Sequence, residues 1–96
     1  MPSFIVETFL PSGTAGGHVA CERRARSAAQ ALTEEGTSVR FDRALHVPED
    51  EISFFVFDAP SSREAAQAAQ LAELGPLRVV EVVSSAEETT NDGALS

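Results

Sequence analysis

The sequence predicts an α+β fold: a four-stranded antiparallel sheet with two helices on one face. Three observations predict it. Four short runs rich in β-branched and aromatic residues are interleaved with two stretches of helical period. The two middle runs are separated by a three-residue turn, which only an antiparallel pair allows. Every boundary carries its own Pro, Gly or Ser punctuation.

The first strand is Ser-Phe-Ile-Val-Glu-Thr-Phe-Leu at 3–10, closed by Pro11-Ser12-Gly13. From Thr14 the pattern turns helical: Cys21, Ala25, Ala28, Ala29 and Leu32 form an apolar stripe, Glu22, Arg23, Arg26, Gln30 and Glu34 take the wet side, and Gly36 stops the helix. Strands at 38–47 and 51–58 follow, turned by Pro48-Glu49-Asp50. The second helix starts with Ser61 or Ser62 as N-cap and Glu64 in its first turn. Ala65, Ala68, Ala69 and Ala72 form its buried stripe, and Gly75-Pro76 ends it. A stripe this small lets the helix sit close to the sheet. The last strand is 77–83. The order strand, helix, strand, strand, helix, strand is the split βαβ, or ferredoxin-like, arrangement. It makes one domain over 1–84, and the polar, acidic stretch 85–96 reads as a flexible tail.

Composition narrows the function classes. The chain has 96 residues, 43% hydrophobic, enough for one compact core. Its net charge of -8 argues against nucleic acid and against an anionic membrane surface, since both need a cationic face. All the basic residues are arginine, a hint of a GC-rich bacterial source. A lone Cys21 forms no internal disulfide, and no basic-then-apolar leader or membrane-length apolar run is present. The expected location is the cytoplasm.

Alternation assigns side chains to faces. Phe4, Val6 and Thr8, with Val39, Phe41 and Leu45, Ile52, Phe54 and Val56, and Val80 and Val82, form the apolar sets expected under the helices. Arg43 falls on that apolar side, which points to a bulge or an edge strand there. The other face then mixes Ile5, Phe9, Phe55, Phe57, Val79 and Val83 with Glu7, Arg40, Asp42, His46 and Glu81. A solvated face would not carry three phenylalanines, and a core would not carry three carboxylates. Fold-level analogy offers the dimeric α/β barrel, in which two such faces pack around a polar-lined pocket. Homodimerisation is the expected partnership.

On this reading Glu7, Glu81 and His46 are the candidate catalytic groups, and Phe9, Arg40, Asp42, Phe55 and Phe57 line the ligand pocket. His46 and Glu7 are the candidate metal ligands. With the first and last strands adjacent, Glu7 and Glu81 approach each other, and close carboxylates repel unless a proton or cation lies between them. The plain alternative makes both ordinary surface ions paired with Arg40 and Arg78. His18 and Cys21, three apart, share a helix face as a soft-metal pair, or are a helix-start residue and a small buried hydrophobe. The run Ser12-Gly13-Thr14-Ala15-Gly16-Gly17 lacks the lysine and spacing of a phosphate loop, though its backbone could face an anion. No zinc-protease or nucleophile-elbow motif occurs.

The opening Met-Pro-Ser-Phe-Ile-Val-Glu-Thr-Phe, the run Phe54-Phe55-Val56-Phe57-Asp58-Ala59-Pro60 and the ending Arg78-Val79-Val80-Glu81-Val82 resemble a family of small bacterial proteins. It is a domain of unknown function whose members include a nickel-binding, ferredoxin-like dimer. The resemblance implies a dimer with a site for a small ligand or a divalent metal such as nickel. Where its members usually have a Ser-Tyr pair this chain has Ala44-Leu45, and where many carry cysteine it has Phe55. The leading expectation is a homodimeric ligand- or metal-binding protein with its pocket on the open sheet face. The alternative is a cofactor-free dimeric α/β-barrel enzyme, of isomerase, cyclase or monooxygenase type, acting on a small aromatic or polyketide-like molecule.

Overall fold

A computed structural model describes residues 1–11 and 17–83. The element order is β1 (Ser3–Phe9), α1 (Gly17–Glu34), β2 (Arg40–Val47), a 3-10 turn (Pro48–Asp50), β3 (Ile52–Asp58), α2 (Ser62–Leu71) and β4 (Pro76–Val82). The expected acidic tail, the start of the first helix at Thr14 and most of the glycine-rich run at 12–17 lie outside the described residues. All neighbouring strands are antiparallel, in the order β2-β3-β1-β4, which confirms the ferredoxin-like α+β fold. No described helix is long and apolar enough to cross a membrane.

The boundaries follow local chemistry. The Ser61 hydroxyl accepts from the Arg63 N–H at 3.2 Å and donates to the Glu64 carboxylate, so the side chains of a Ser-x-x-Glu start cap α2. Beyond α1, Gly36 takes a φ of +102°, and the Thr37 N–H returns to the Leu32 carbonyl at 2.8 Å. A Cβ at that φ would be strained, which is why glycine stands there.

The core lies between the helices and one face of the sheet. Cys21, Ala25, Ala28, Ala29 and Leu32 of α1 and Ala65, Ala68 and Ala69 of α2 are buried, as their spacing predicts. Helices lined almost wholly by alanine come close but supply little bulk. The sheet must therefore supply it, through Phe4, Val6, Phe55 and Phe57, the last two fully buried.

That packing corrects the expected faces. β1 and β3 pair with Phe4 opposite Phe57, Val6 opposite Phe55 and Thr8 opposite Ser53, and directly opposed residues share a face. Phe55 and Phe57 are thus core residues and not walls of an open-face pocket. Ile52, Phe54 and Val56, expected under the helices, lie on the open side. β4 follows suit: Val79 opposes Val6 and Glu81 opposes Phe4, both on the helix side, while Val80 opposes Ile5 on the open side. In β2 the register slips by one residue between Phe41 and Arg43, a bulge that leaves Asp42 without a cross-strand partner. Phe41 stays on the core, whereas Leu45 moves to the open face and Ala44 and His46 to the helix side.

Candidate functional site on the open sheet face

Combining the three registers gives the open face as rows running across the strands. One row is Leu45, Phe54, Glu7 and Arg78; the next is Arg43, Val56, Ile5 and Val80. Arg40, Asp58, Ser3 and Val82 form a third row, and Val47, Ile52 and Phe9 a fourth. Phe9 is 52% exposed, Leu45 49% and Val80 36%. Four strands about 4.8 Å apart and seven residues at about 3.3 Å make a face on the order of 450 Å². Nine of the fifteen positions in these rows are apolar, and several of those are exposed, which sets the face apart from a plain solvated surface.

The charges on this face are mostly settled in pairs. Arg78 Nε donates to Glu7 Oε1 at 2.8 Å across β1 and β4. Arg40 donates from Nε at 3.0 Å, and from a terminal nitrogen, to Asp58, whose other oxygen accepts from the Ser3 hydroxyl at 2.7 Å. Burial alone would push the Asp58 carboxyl up; the Ser3 hydroxyl, the Arg40 guanidinium and the amino-terminal charge outweigh it and hold the group below the usual carboxylate range. Arg40 is raised in turn, by its hydrogen bond and charge pairing with Asp58 and, more weakly, by Asp42. Arg43, exposed and opposite Val56, has no hydrogen-bond or ion-pair partner among the described residues.

The structure therefore divides the expected site. Glu7, Phe9 and Arg40 are on the open face. Asp42 is an exposed bulge residue beside Arg40, Phe55 and Phe57 are core, and His46 and Glu81 are on the helix side. Glu7 and Glu81 lie on opposite faces, so the close carboxylate pair does not form; Glu7 faces Arg78 instead. His46 and Glu7 are likewise on opposite faces and do not converge on one ion.

His46 belongs to a separate polar cluster between α1 and the sheet. Its Nε2 lies 2.8 Å from Glu22 Oε2 and its Nδ1 2.7 Å from Ser53 Oγ, with the His18 ring stacked at 4.1 Å between centroids. An ionised carboxylate only accepts, so Nε2–H donates to Glu22, and in the neutral ring Nδ1 accepts from Ser53. Both ring nitrogens are engaged, and Ser53 is buried. The cluster fastens the start of α1 to β2 and β3. Cys21 is buried, as the small-hydrophobe reading has it, with its sulfur 3.4 Å from an Arg24 nitrogen, while His18 turns to His46, so the alternative soft-metal pair does not assemble. Among the described residues, no group of three or more His, Cys, Asp or Glu side chains is placed to hold a metal ion.

Sequence reasoning missed Asp58 and Ser3. The signal available was an acidic residue ending an apolar strand immediately before Ala59-Pro60. The contact between Glu22 and His46 spans 24 positions and has no local signature.

No protein-family model matches the chain, and no curated protein does. Among solved structures, SCO4226 from Streptomyces coelicolor A3(2) is similar, with a TM-score of 0.64 and 19% sequence identity. The match covers 85% of this chain and 98% of that one. It supports the fold of a small α+β domain.

Proposed function

We propose that the protein is a homodimeric small-ligand-binding module, its two open sheet faces packed toward each other as in a dimeric α/β barrel. The observation that carries this reading is the exposed apolar set Phe9, Leu45, Val47, Val80 and Val82, with a partly buried Phe54 among them, on a face without a covering layer among the described residues. Burying it stabilises association by roughly 25 cal/mol for each Å² of apolar surface removed from water. Twisted sheets meeting face to face touch along part of their surface and diverge elsewhere, which leaves room for a ligand. A bound divalent metal such as nickel draws less support, because His46 and Glu7 do not share a face.

Sedimentation of the wild type and of Val80→Lys tests the reading. Val80 is on the open face and partly exposed, so lysine is tolerated in a monomer but places an unpaired charge in a packed interface. A wild-type dimer and a folded Val80→Lys monomer are expected. A monomeric wild type, or a variant that dimerises as strongly, overturns the reading. Native mass spectrometry with elemental analysis of the same sample reports any bound metal.

A further inference from the structure

We infer that the ligand of the open face is an amphipathic carboxylate, its head on Arg43 and its apolar body along the row Val56, Ile5 and Val80. The inference rests on the dimeric binding reading above and names the chemistry of what is bound. Three arginines, Arg40, Arg43 and Arg78, stand in the four strand rows of this face against two carboxylates, Glu7 and Asp58. The chain as a whole carries a net charge of -8, so the local balance runs against the global one. Two of the three guanidiniums are committed, Arg40 to Asp58 and Arg78 to Glu7.

Among the described residues Arg43 is left as a free planar donor at the end of an apolar row. A guanidinium in that position accepts a carboxylate through two parallel N–H bonds. Each copy brings one such guanidinium for its own ligand, and one guanidinium balances one negative charge, which favours a carboxylate over a phosphate monoester of nearly two. The row continues through Val56, itself largely buried, to the partly exposed Ile5 and Val80, which lies about 14 Å from Arg43 at the usual strand spacing. Leu45 and Phe54 flank it in the next row. An alkyl or aromatic body lies along this row, and the second copy closes over it.

Calorimetric titration with octanoate, octanol and acetate tests the assignment, with sedimentation run on the same samples. Octanoate is expected to bind the wild-type dimer and acetate not to. Arg43→Gln should weaken octanoate roughly tenfold or more, as loss of a charge-assisted contact does, and leave octanol unchanged. Arg43→Lys, which keeps the charge but not the fork, should fall between, and Arg63→Gln on α2 should match the wild type. Amide shifts on binding should concentrate at Ile5, Leu45, Phe54, Val56 and Val80. Equal octanoate affinity in wild type and Arg43→Gln, or no binding to a protein that sediments as a dimer, overturns the ligand assignment and leaves the dimer standing. A monomer that binds octanoate through Arg43 overturns the dimer and keeps the assignment. A monomer that binds nothing overturns both.

Discussion

The two faces of one sheet use the same residue types to opposite ends. On the helix side, Phe55 and Phe57 are fully enclosed because alanine-lined helices lie close above them. On the open side, Phe54 and Ile52 of the same strand stand half-exposed, alongside an exposed Phe9. In β3 each set carries phenylalanine, so hydrophobicity alone does not separate them. What separates them is whether a layer sits on top, and that is decided by register with β1 and by the bulk the helices lack. Apolar alternation thus identifies a strand without saying which of its faces is the core.

The comparison can be broken most directly at Phe57. Phe57→Ala removes a fully buried ring from beneath helices too short in side chain to collapse into the void, and should cost about 3–5 kcal/mol in chemical denaturation. Phe54→Ala, measured in a monomeric Val80→Lys background, should cost clearly less. Equal losses would mean that the two faces are not distinguished by burial.

Asp58 sharpens the comparison, being a buried carboxylate on the open face. Its folded carboxyl is held below its unfolded value, so the stability it contributes is present above the usual carboxylate range and is lost as pH falls through the folded value. Asp58→Asn should cost about 1–3 kcal/mol at neutral pH, the worth of hydrogen bonds to a charged group. The gap to wild type should close on acidification below about pH 4. A gap independent of pH would assign the cost to packing.

The smallest effect is expected at Glu7. Its partner Arg78 is 68% exposed at the side chain, so Glu7→Gln in the monomeric background should change stability by less than about 1 kcal/mol. A larger loss in thermal unfolding would show the pair to be more enclosed than the open face suggests.

The fold was legible because its punctuation is local. Ser61 and Glu64, Gly36, and Pro48 through Asp50 act within a few residues of themselves, and each stands where its spacing predicts. The site was only partly legible because faces are settled over long sequence separations. Glu7 and Phe9 follow from β1 alone. Phe55, Phe57 and Glu81 went to the wrong side because both parity sets of β3 and β4 are largely apolar, and only the pairing of Phe4 with Phe57 and with Glu81 resolves them. His46 went to the wrong side because counting by twos crosses the bulge at Asp42. Arg43, falling among apolar positions, was the trace of that bulge in the sequence.

The bulge also governs which genetic changes β2 tolerates. Phe41 opposes Phe57 and Arg43 opposes Val56, so Asp42 is a supernumerary residue in an otherwise continuous ladder. Loss of its codon would leave a regular strand with every later side chain on its present face. Loss of the Arg43 codon, with the bulge kept, would exchange Leu45 and Val47 for Ala44 and His46 between the two sides of the sheet. Length variation among descendants of this gene should therefore gather at that single position.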